Sequence, residues 1–424
     1  MLSTRIDGPS KIGLADVAID VANGYCCLLS ENSSPMRQAG KLKQQIGHLT
    51  KSGPKIKYTH GAEFYRVLKH DIDYYFKRTG YPRRDILQVY LKPGLLLAWF
   101  TGSYISLLFI ADGWWQAGLL AVSLGLAMAG IGFNIQHDGG HSSYSSRQSV
   151  NRLMAMTLDM LGGSSYIWKW KHNLLHHNYS NIVGADDDID IGPLGRLSPD
   201  QPHYCLHRFQ HFYTWLLYGL LPFKWQLLDD IKSLFQGKIG THELPRPSGS
   251  ELVILVAGKC VFLCLAFLIP MSYHRPGRVV LLYVVTSLTL GFTLSVVFQL
   301  GHCVEEASFV VPLEGTNRID KEWAVHQVAT TIDFARGNPF LTWYLGGLNF
   351  QIEHHLFPQI SHFHYPALST IVEAACAEHG IKYFAHRTLF SALASHFRLL
   401  RRNAYERERR ISFELLEISE ARRK

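Results

Sequence analysis

Histidines at short, regular intervals are the residues of this chain best suited to chemistry. Residues four apart on a helix share a face, so each of three clusters would present its imidazoles together. Because His177 is rotated by about 100° from His176 on a helix, we expect that pair to address two different metal ions. The clusters read His137-Asp-Gly-Gly-His141, His172-Asn-Leu-Leu-His176-His177 and Gln351-Ile-Glu-His354-His355, and a single His302 stands apart from them.

Eight imidazoles and one carboxamide are more donors than a single metal ion requires. A structural zinc takes four ligands and a catalytic zinc takes three. Eight or nine nitrogen and oxygen donors therefore suit two ions of four or five ligands each. Neutral imidazole binds iron, zinc, copper or nickel, and the spacing alone does not choose among them. The pattern predicts a dinuclear metal site.

The apolar residues are concentrated in four stretches. The 424 residues are 47% hydrophobic and only 18% charged, below the roughly 25% of soluble domains. Each stretch is close to the ~20 residues that a helix needs to cross a ~30 Å hydrocarbon core. The stretches lie at about 93–110, 114–135, 252–271 and 279–300. They predict an all-α integral membrane protein with four transmembrane helices in two hairpins; the alternative is a soluble protein with buried core helices.

The order of the spans places the histidine clusters on one side of the membrane. Each cluster follows an even number of spans, and nearly all lysines and arginines fall on that side. By the positive-inside rule this side is cytoplasmic, so we expect both termini and a helical cap holding the metal site there. The net charge of +8, from 42 basic and 34 acidic residues, is mild, and no basic stripe interleaved with aromatic residues suggests nucleic acid.

Other polar residues have simpler interpretations. The run 186–188 (Asp-Asp-Asp) is typical of a solvated charge run; the alternatives are contact with the substrate head group or an orienting role behind the metal ligands. We expect Lys259 in the third span to extend its ammonium to the membrane interface, with a role facing the helix bundle as the alternative. Residues 209–225 predict an interfacial helix pair. The scattered cysteines predict no disulfide. The remaining histidines are expected on the surface or at helix caps: His203, His207, His211, His326, His362 and His364.

The three clusters, in this order around two predicted hairpins, resemble the three histidine boxes of the membrane fatty acid desaturases. We call them box 1 (137–141), box 2 (172–177) and box 3 (351–355). The glutamine that opens box 3 resembles the front-end subgroup, and runs such as KHNLLHHNYSN and NPFLTWYLGGLNFQIEHHLFPQI match as well. The likeness covers about residues 60–400 and is strongest to cyanobacterial-type acyl-lipid Δ6 desaturases. It implies these iron ligands: His137, His141, His172, His176, His177, His302, His354 and His355, with Gln351 at the ninth position.

The resemblance also implies an activity. We expect O₂-dependent front-end desaturation at a di-iron centre, with Δ6 favoured and Δ5 next, and two external electrons per cycle. The protein would hold an acyl lipid or an acyl-CoA in an apolar tunnel. Trp323 and Gln327 are candidates for lining this tunnel. Candidates for orienting the imidazoles through their second nitrogen are Asp138, Asn181, Glu305, Glu306 and Glu353.

The electron donor and the domain limits complete the expectations. Many front-end desaturases carry a fused cytochrome b5 with an HPGG motif, and residues 1–90 contain no such motif. The donor is therefore expected to be a separate protein, either ferredoxin or a free cytochrome b5. The chain divides into a mobile N-terminal segment (1–60), a desaturase domain (61–400) and a charged tail (401–424).

Two rival functions remain open at this point. A hydroxylase, acetylenase or conjugase would use the same ligands, because the outcome depends on how the acyl chain is placed. A membrane protein that binds or transports metal without catalysis would also need histidines. Transporters usually place ionisable residues within their spans, whereas these histidines lie outside them.

Overall fold

The structure, a computed structural model, describes residues 56–313 and 316–421, with side chains described as far as residue 405. The expectation for a mobile segment over 1–60 therefore lies almost wholly outside the described residues. The α-helices are α1 (Glu63–Thr79), α2 (Leu87–Phe109), α3 (Trp114–Ile131), α4 (His137–Gly140), α5 (Gln148–Ala155), α6 (Thr157–Met160), α7 (Ser165–Trp168), α8 (His177–Tyr179), α9 (Gln210–Gly219), α10 (Leu221–Lys224), α11 (Asp230–Gln236), α12 (Ser250–Leu263), α13 (Ile269–Tyr273), α14 (Pro276–His302), α15 (Trp323–Thr330), α16 (Pro339–Tyr344), α17 (Gln351–Leu356), α18 (Tyr365–Glu378) and α19 (Leu389–Ala421).

The strands of the described residues are two residues long and pair two by two. β1 pairs with β4 and β5 with β6 in parallel, and β2 with β3 is antiparallel. They are β1 (Lys57–Tyr58), β2 (Lys238–Ile239), β3 (His242–Glu243), β4 (Arg318–Ile319), β5 (Asp333–Phe334) and β6 (Ala385–His386). The predicted all-α class is confirmed to the extent that the fold is mostly helical.

Three long helices among the described residues are apolar enough to cross a membrane. They occupy Trp114–Gly140, Ser250–Tyr273 and Pro276–His302 and contain three of the four predicted stretches. The remaining stretch lies in α2, which is long enough at 23 residues but is not among the three. α3 packs between α2 and α14. Gly125 allows α3 and α14 to approach closely, because a Cβ at this position would lie 2.7 Å from the carbonyl oxygen of Thr286.

In the part of the chain that the structure describes, four helical segments adopt the wider π turn instead of the α turn. Two of them lead into or carry histidine boxes, and a third joins α12 to α13 within one continuous membrane-length helix. In a π turn the backbone bonds run between residues five apart, which changes the side chains that share a face. The segments are Gly132–Gln136, Lys169–His176, Trp225–Asp229 and Cys264–Leu268.

A helical layer covers the end of the bundle where the boxes lie. α1, α15, α17 and α18 share one hydrophobic core, in which Leu68, Phe350 and Leu368 are almost completely buried. Because α17 carries box 3, this core fixes the position of the third box relative to the rest of the layer.

The structure corrects two expectations for polar residues away from the boxes. Lys259 does not extend to an interface: its Nζ lies 2.8 Å from the buried carboxylate of Asp230 and donates to the carbonyl of Gly162 at 2.6 Å. A cation within an apolar helix requires such partners. Five of the six histidines expected on the surface or at caps are buried: His207, His211, His326, His362 and His364. Of these, His207 and His364 do lie at the start of a helix, as expected of a cap.

Candidate metal centre

Box 1 lies where the apolar helix α3 ends. A π turn over Gly132–Gln136 leads into His137, and the rings of His137 and His141 are 4.7 Å apart between centroids. Gly140 gives this box its close packing, because a Cβ there would lie 2.1 Å from a ring carbon of Trp168. Trp168 in turn stacks on His172 of box 2, with ring centroids 4.5 Å apart. The glycine therefore allows boxes 1 and 2 to pack against the same indole ring of Trp168.

Box 2 departs from the geometry expected of an α-helix. Its residues from Lys169 to His176 form a π helix, so residues five apart come together, and Nε2 of His172 lies 3.3 Å from Nε2 of His177. We expected His172 to stand above His176, and their rings do stack, with centroids 5.3 Å apart. The π turn adds the close approach of His172 to His177, which α-helical geometry does not give. That His176 and His177 address two different metal ions stays a prediction.

Box 3 and His302 approach from α17 and the end of α14. Nε2 of Gln351 lies 2.8 Å from Nε2 of His302, and rotation of the carboxamide by 180° would bring its oxygen to the same place as a possible metal ligand. Gly301 permits this contact, because a Cβ there would lie 2.8 Å from Cγ of Gln351. The eight histidines and the glutamine thus meet in one buried cluster.

The cluster contains two main groups of donors. Within each group, one nitrogen of each histidine lies within 4.8 Å of the corresponding nitrogen of the others. His177 joins the groups, because it forms a third set with His354 and His355. The first group is His137, His141, His172 and His354; the second is His176, His302 and His355.

The residues present fit metal ions. Nε2 of His141, His354 and His355 is buried without a hydrogen-bond partner, although a buried polar atom without a partner costs roughly 1–3 kcal/mol. Burial, reinforced by neighbouring imidazoles, lowers the pKa of five histidines well below the usual value, so they are neutral and able to bind metal: His141, His172, His177, His354 and His355.

Residues behind the cluster hold the second nitrogen of several imidazoles. Nδ1 of His176 lies 3.1 Å from a carboxylate oxygen of the buried Asp186. Burial lowers the pKa of His176, but the attraction and hydrogen bond of Asp186 outweigh it, and the pKa is raised. Nδ1 of His355 lies 2.8 Å from Oε1 of Gln327. These contacts fix which ring nitrogen faces the centre.

Two further contacts complete this outer layer. Nδ1 of His354 lies 3.3 Å from the hydroxyl of Tyr365, and Nδ1 of His302 lies 3.3 Å from Oγ of Ser180. Sequence reasoning missed Tyr365 and Ser180 and considered Gln327 only for the substrate tunnel. It favoured a solvated Asp186, with an orienting role behind the cluster as the alternative, and the alternative is what the contacts support. Only for Asp186 was there a signal in the sequence, namely a carboxylate a few residues after box 2.

The residues predicted to orient the imidazoles differ in the groups that they contact. Asp138 accepts a hydrogen bond from His362 at 2.7 Å rather than from a cluster histidine. Asn181 supports the site through the backbone, because its amide N–H donates to Asp186 and its side chain donates to the carbonyl of His302. All of these groups are buried.

The predicted glutamates point elsewhere. Glu305 pairs with Arg398, and Glu306 contacts His386 at 3.0 Å. Glu353 accepts a hydrogen bond from Tyr383 at 3.0 Å, and burial together with the neighbouring carboxyl of Asp333 raises its pKa well above the usual range. None of the three glutamates forms a hydrogen bond with a cluster histidine among the described residues.

The fold and the donor cluster agree with what comparison of the sequence shows. The chain belongs to the fatty acid desaturase family, whose model matches residues 113–387, more than half of the chain. It is accordingly an oxidoreductase that desaturates fatty acyl chains.

Individual relatives are similar over most of their length. The chain is 37% identical to an sn-1 linoleoyl-lipid 6-desaturase of Arthrospira platensis, over 84% of this chain and 96% of the relative. It is 39% identical to the enzyme of the same name from Synechocystis sp., over 82% and 97%. An acyl-lipid (8-3)-desaturase of Physcomitrium patens is 35% identical, over 80% and 71%.

Proposed function

We propose that this protein is an O₂-dependent front-end desaturase that introduces a cis Δ6 double bond into an unsaturated acyl chain, with Δ5 as the next choice. The observation that carries the proposal is the meeting of boxes 1, 2 and 3 with His302 in one buried cluster of two donor groups. Support for Δ6 comes from the relatives, two of which are named linoleoyl-lipid 6-desaturases.

The overall reaction is R–CH₂–CH₂–R′ + O₂ + 2 e⁻ + 2 H⁺ → R–CH=CH–R′ + 2 H₂O. The hydrogens of an unactivated methylene pair have no useful acidity, so side-chain acids and bases cannot remove them. Two bound irons would supply O₂ activation and hydrogen removal. The residues that would hold them are His137, His141, His172, His176, His177, His302, Gln351, His354 and His355.

The chain's own contribution is to hold the donors in place and to shield them. Asp186 and Gln327 orient His176 and His355 through Nδ1, leaving Nε2 for metal. Phe298 packs against the ring of His176, with centroids 5.0 Å apart, and so excludes water from one side. Trp168, which stacks on box 2, closes another side.

We propose four spans, with the metal centre and both termini on the cytoplasmic side. α2 is the fourth span, because apolar side chains such as Leu91, Leu95 and Ile105 are exposed along it, as hydrocarbon contact requires. Exposed Lys69 and Lys77 of α1 lie over the core that holds box 3. A basic surface of this kind suits an acidic donor, either ferredoxin or a free cytochrome b5.

The test is expression in a host fed linoleate, with fatty acids separated by gas chromatography and the new double bond located by mass spectrometry. The wild-type protein should give an alkene at C6, and His355→Ala should give none while still inserting in the membrane. His203→Ala is the matched control, because His203 bonds to the carbonyl of Ala404 away from the cluster. A hydroxy acid with no new alkene would refute desaturation, and an active His355→Ala variant would refute the ligand assignment.

A further inference from the structure

A half-enclosed apolar cavity lies among the membrane helices. It is bounded by α2, α3 and α14 and by the continuous helix formed by α12, the π turn and α13. Its walls are mainly hydrophobic, with Phe100, Leu107, Phe262 and Leu282 among the lining residues. A cavity walled in this way accepts hydrocarbon more readily than a charged ligand.

The two ends of the cavity differ. At the outer end Nε2 of His274 donates to the carbonyl of Leu108 at 2.9 Å, which closes the space between two helix ends. At the inner end the lining includes Met128 and Leu161, which pack in one core with Ile135. Ile135 is two residues before His137, so this end of the cavity lies toward the part of the helix that leads into box 1.

The side of the cavity is crossed by one hydrogen bond. The hydroxyl of Tyr104 on α2 donates to the carbonyl of Leu265 at 2.8 Å. This carbonyl needs an outside donor, because in the π turn the N–H of Ile269 bonds to Cys264, and the next residue, Pro270, has no N–H. A carbonyl without a partner is costly in hydrocarbon, so Tyr104 both satisfies Leu265 and joins the two helices.

We propose that the acyl chain of a bilayer lipid enters this cavity sideways, between α2 and the helix Ser250–Tyr273, when the contact between Tyr104 and Leu265 opens. The substrate is then a membrane-resident acyl lipid, and acyl-CoA from the aqueous side does not need to be delivered. This inference rests on the proposed function, since it concerns how the substrate reaches the same metal centre.

One experiment tests occupancy independently of activity. The photoreactive residue p-benzoylphenylalanine replaces Leu107, which lines the cavity, and the full chain is reconstituted in palmitoyl-linoleoyl phosphatidylcholine vesicles with or without linoleoyl-CoA. After illumination, mass spectrometry should find a phospholipid adduct in both arms. No phospholipid adduct, or an adduct with linoleoyl-CoA alone, would overturn lateral entry. The presence or absence of the phospholipid adduct does not depend on whether the enzyme desaturates.

A matched pair of variants tests the path itself. Ala266 and Leu268 belong to the same π turn, but Ala266 lines the cavity whereas Leu268 is 63% exposed. In the fed host Ala266→Trp should reduce the new alkene at least tenfold, whereas Leu268→Trp should match the wild type, with equal iron content in both. Equal product from the two variants overturns the path. If the wild-type protein forms no new alkene, the proposed function is refuted instead.

Discussion

Asp186→Asn should weaken one of the two metal positions without unfolding the protein. The carboxylate of Asp186 is 2% exposed and lies 3.1 and 3.2 Å from Nδ1 of His176. It also accepts from the backbone N–H of Asn181 at 2.9 Å and of Asp188 at 3.0 Å. A carboxamide has one oxygen for these donors, so at least one contact is lost together with the negative charge.

The size of the effect follows from this role. Removing a group that orients a ligand imidazole typically costs 10- to 100-fold in metal affinity, which corresponds to about 1.4–2.8 kcal/mol. The loss should fall on the group formed by His176, His302 and His355. Asp187→Asn is the matched control, because Asp187 pairs with the ammonium of Lys171 at 3.1 Å and its side chain is 35% exposed. Such a pair contributes only ~0–1 kcal/mol.

The assay is iron per chain after equilibration with a series of chelator concentrations. Asp186→Asn should lose half of its iron at a 10- to 100-fold lower chelator concentration than the wild type, and Asp187→Asn within about threefold. Thermal unfolding of the metal-free proteins shows whether the fold is intact. If both variants release iron at the same concentration, Asp186 does not support the centre and the reasoning from its contacts is wrong.

Three further outcomes are expected. Gly140→Ala should displace Trp168 from box 2 and reduce the new alkene in the fed host at least tenfold. Gly118→Ala should not, because no heavy atom lies within 4 Å of its added Cβ. Equal activity of the two variants would contradict the packing of boxes 1 and 2 against Trp168. Burial raises the pKa of Asp159 to about 6, so its stability contribution is present below about pH 4 and is lost as pH rises through 6. The free energy of unfolding of Asp159→Asn, measured by thermal unfolding, should therefore exceed that of the wild type by up to about 3 kcal/mol above pH 6 and should equal it below pH 4. A difference that does not change with pH would refute this. Gln351→His should lose less iron than His354→Ala by metal analysis, since imidazole is a competent ligand; equal loss in the two variants would refute the idea that imidazole replaces the carboxamide.

The residues of the cluster could be predicted because their signal is local. Spacings such as that of His137 and His141 are visible within one helical turn, and the apolar stretches before them indicate which end of a span they occupy. Their convergence required only that the spans alternate in direction. The same reasoning placed α14 and its terminal His302 beside the boxes.

The supporting residues could not be predicted because their contacts are distant in sequence. Gln327 reaches a histidine 28 positions away, and no local periodicity reports such a contact. Asp186 looked solvated because two acidic residues follow it, yet only the tertiary fold decides which of three adjacent carboxylates is buried. Lys259 was misjudged for the same reason, since its partner Asp230 lies on another helix.

The wide turns bear on any attempt to transplant this centre. A protein engineer who grafted the three boxes onto straight α-helices would copy every histidine and still fail to reproduce the arrangement. In α geometry, His172 and His177 would differ by about 140° around the helix axis, whereas their Nε2 atoms here are 3.3 Å apart. The backbone path of Lys169–His176, which carries His172 and His176, must therefore be transferred together with the side chains of the ligand set.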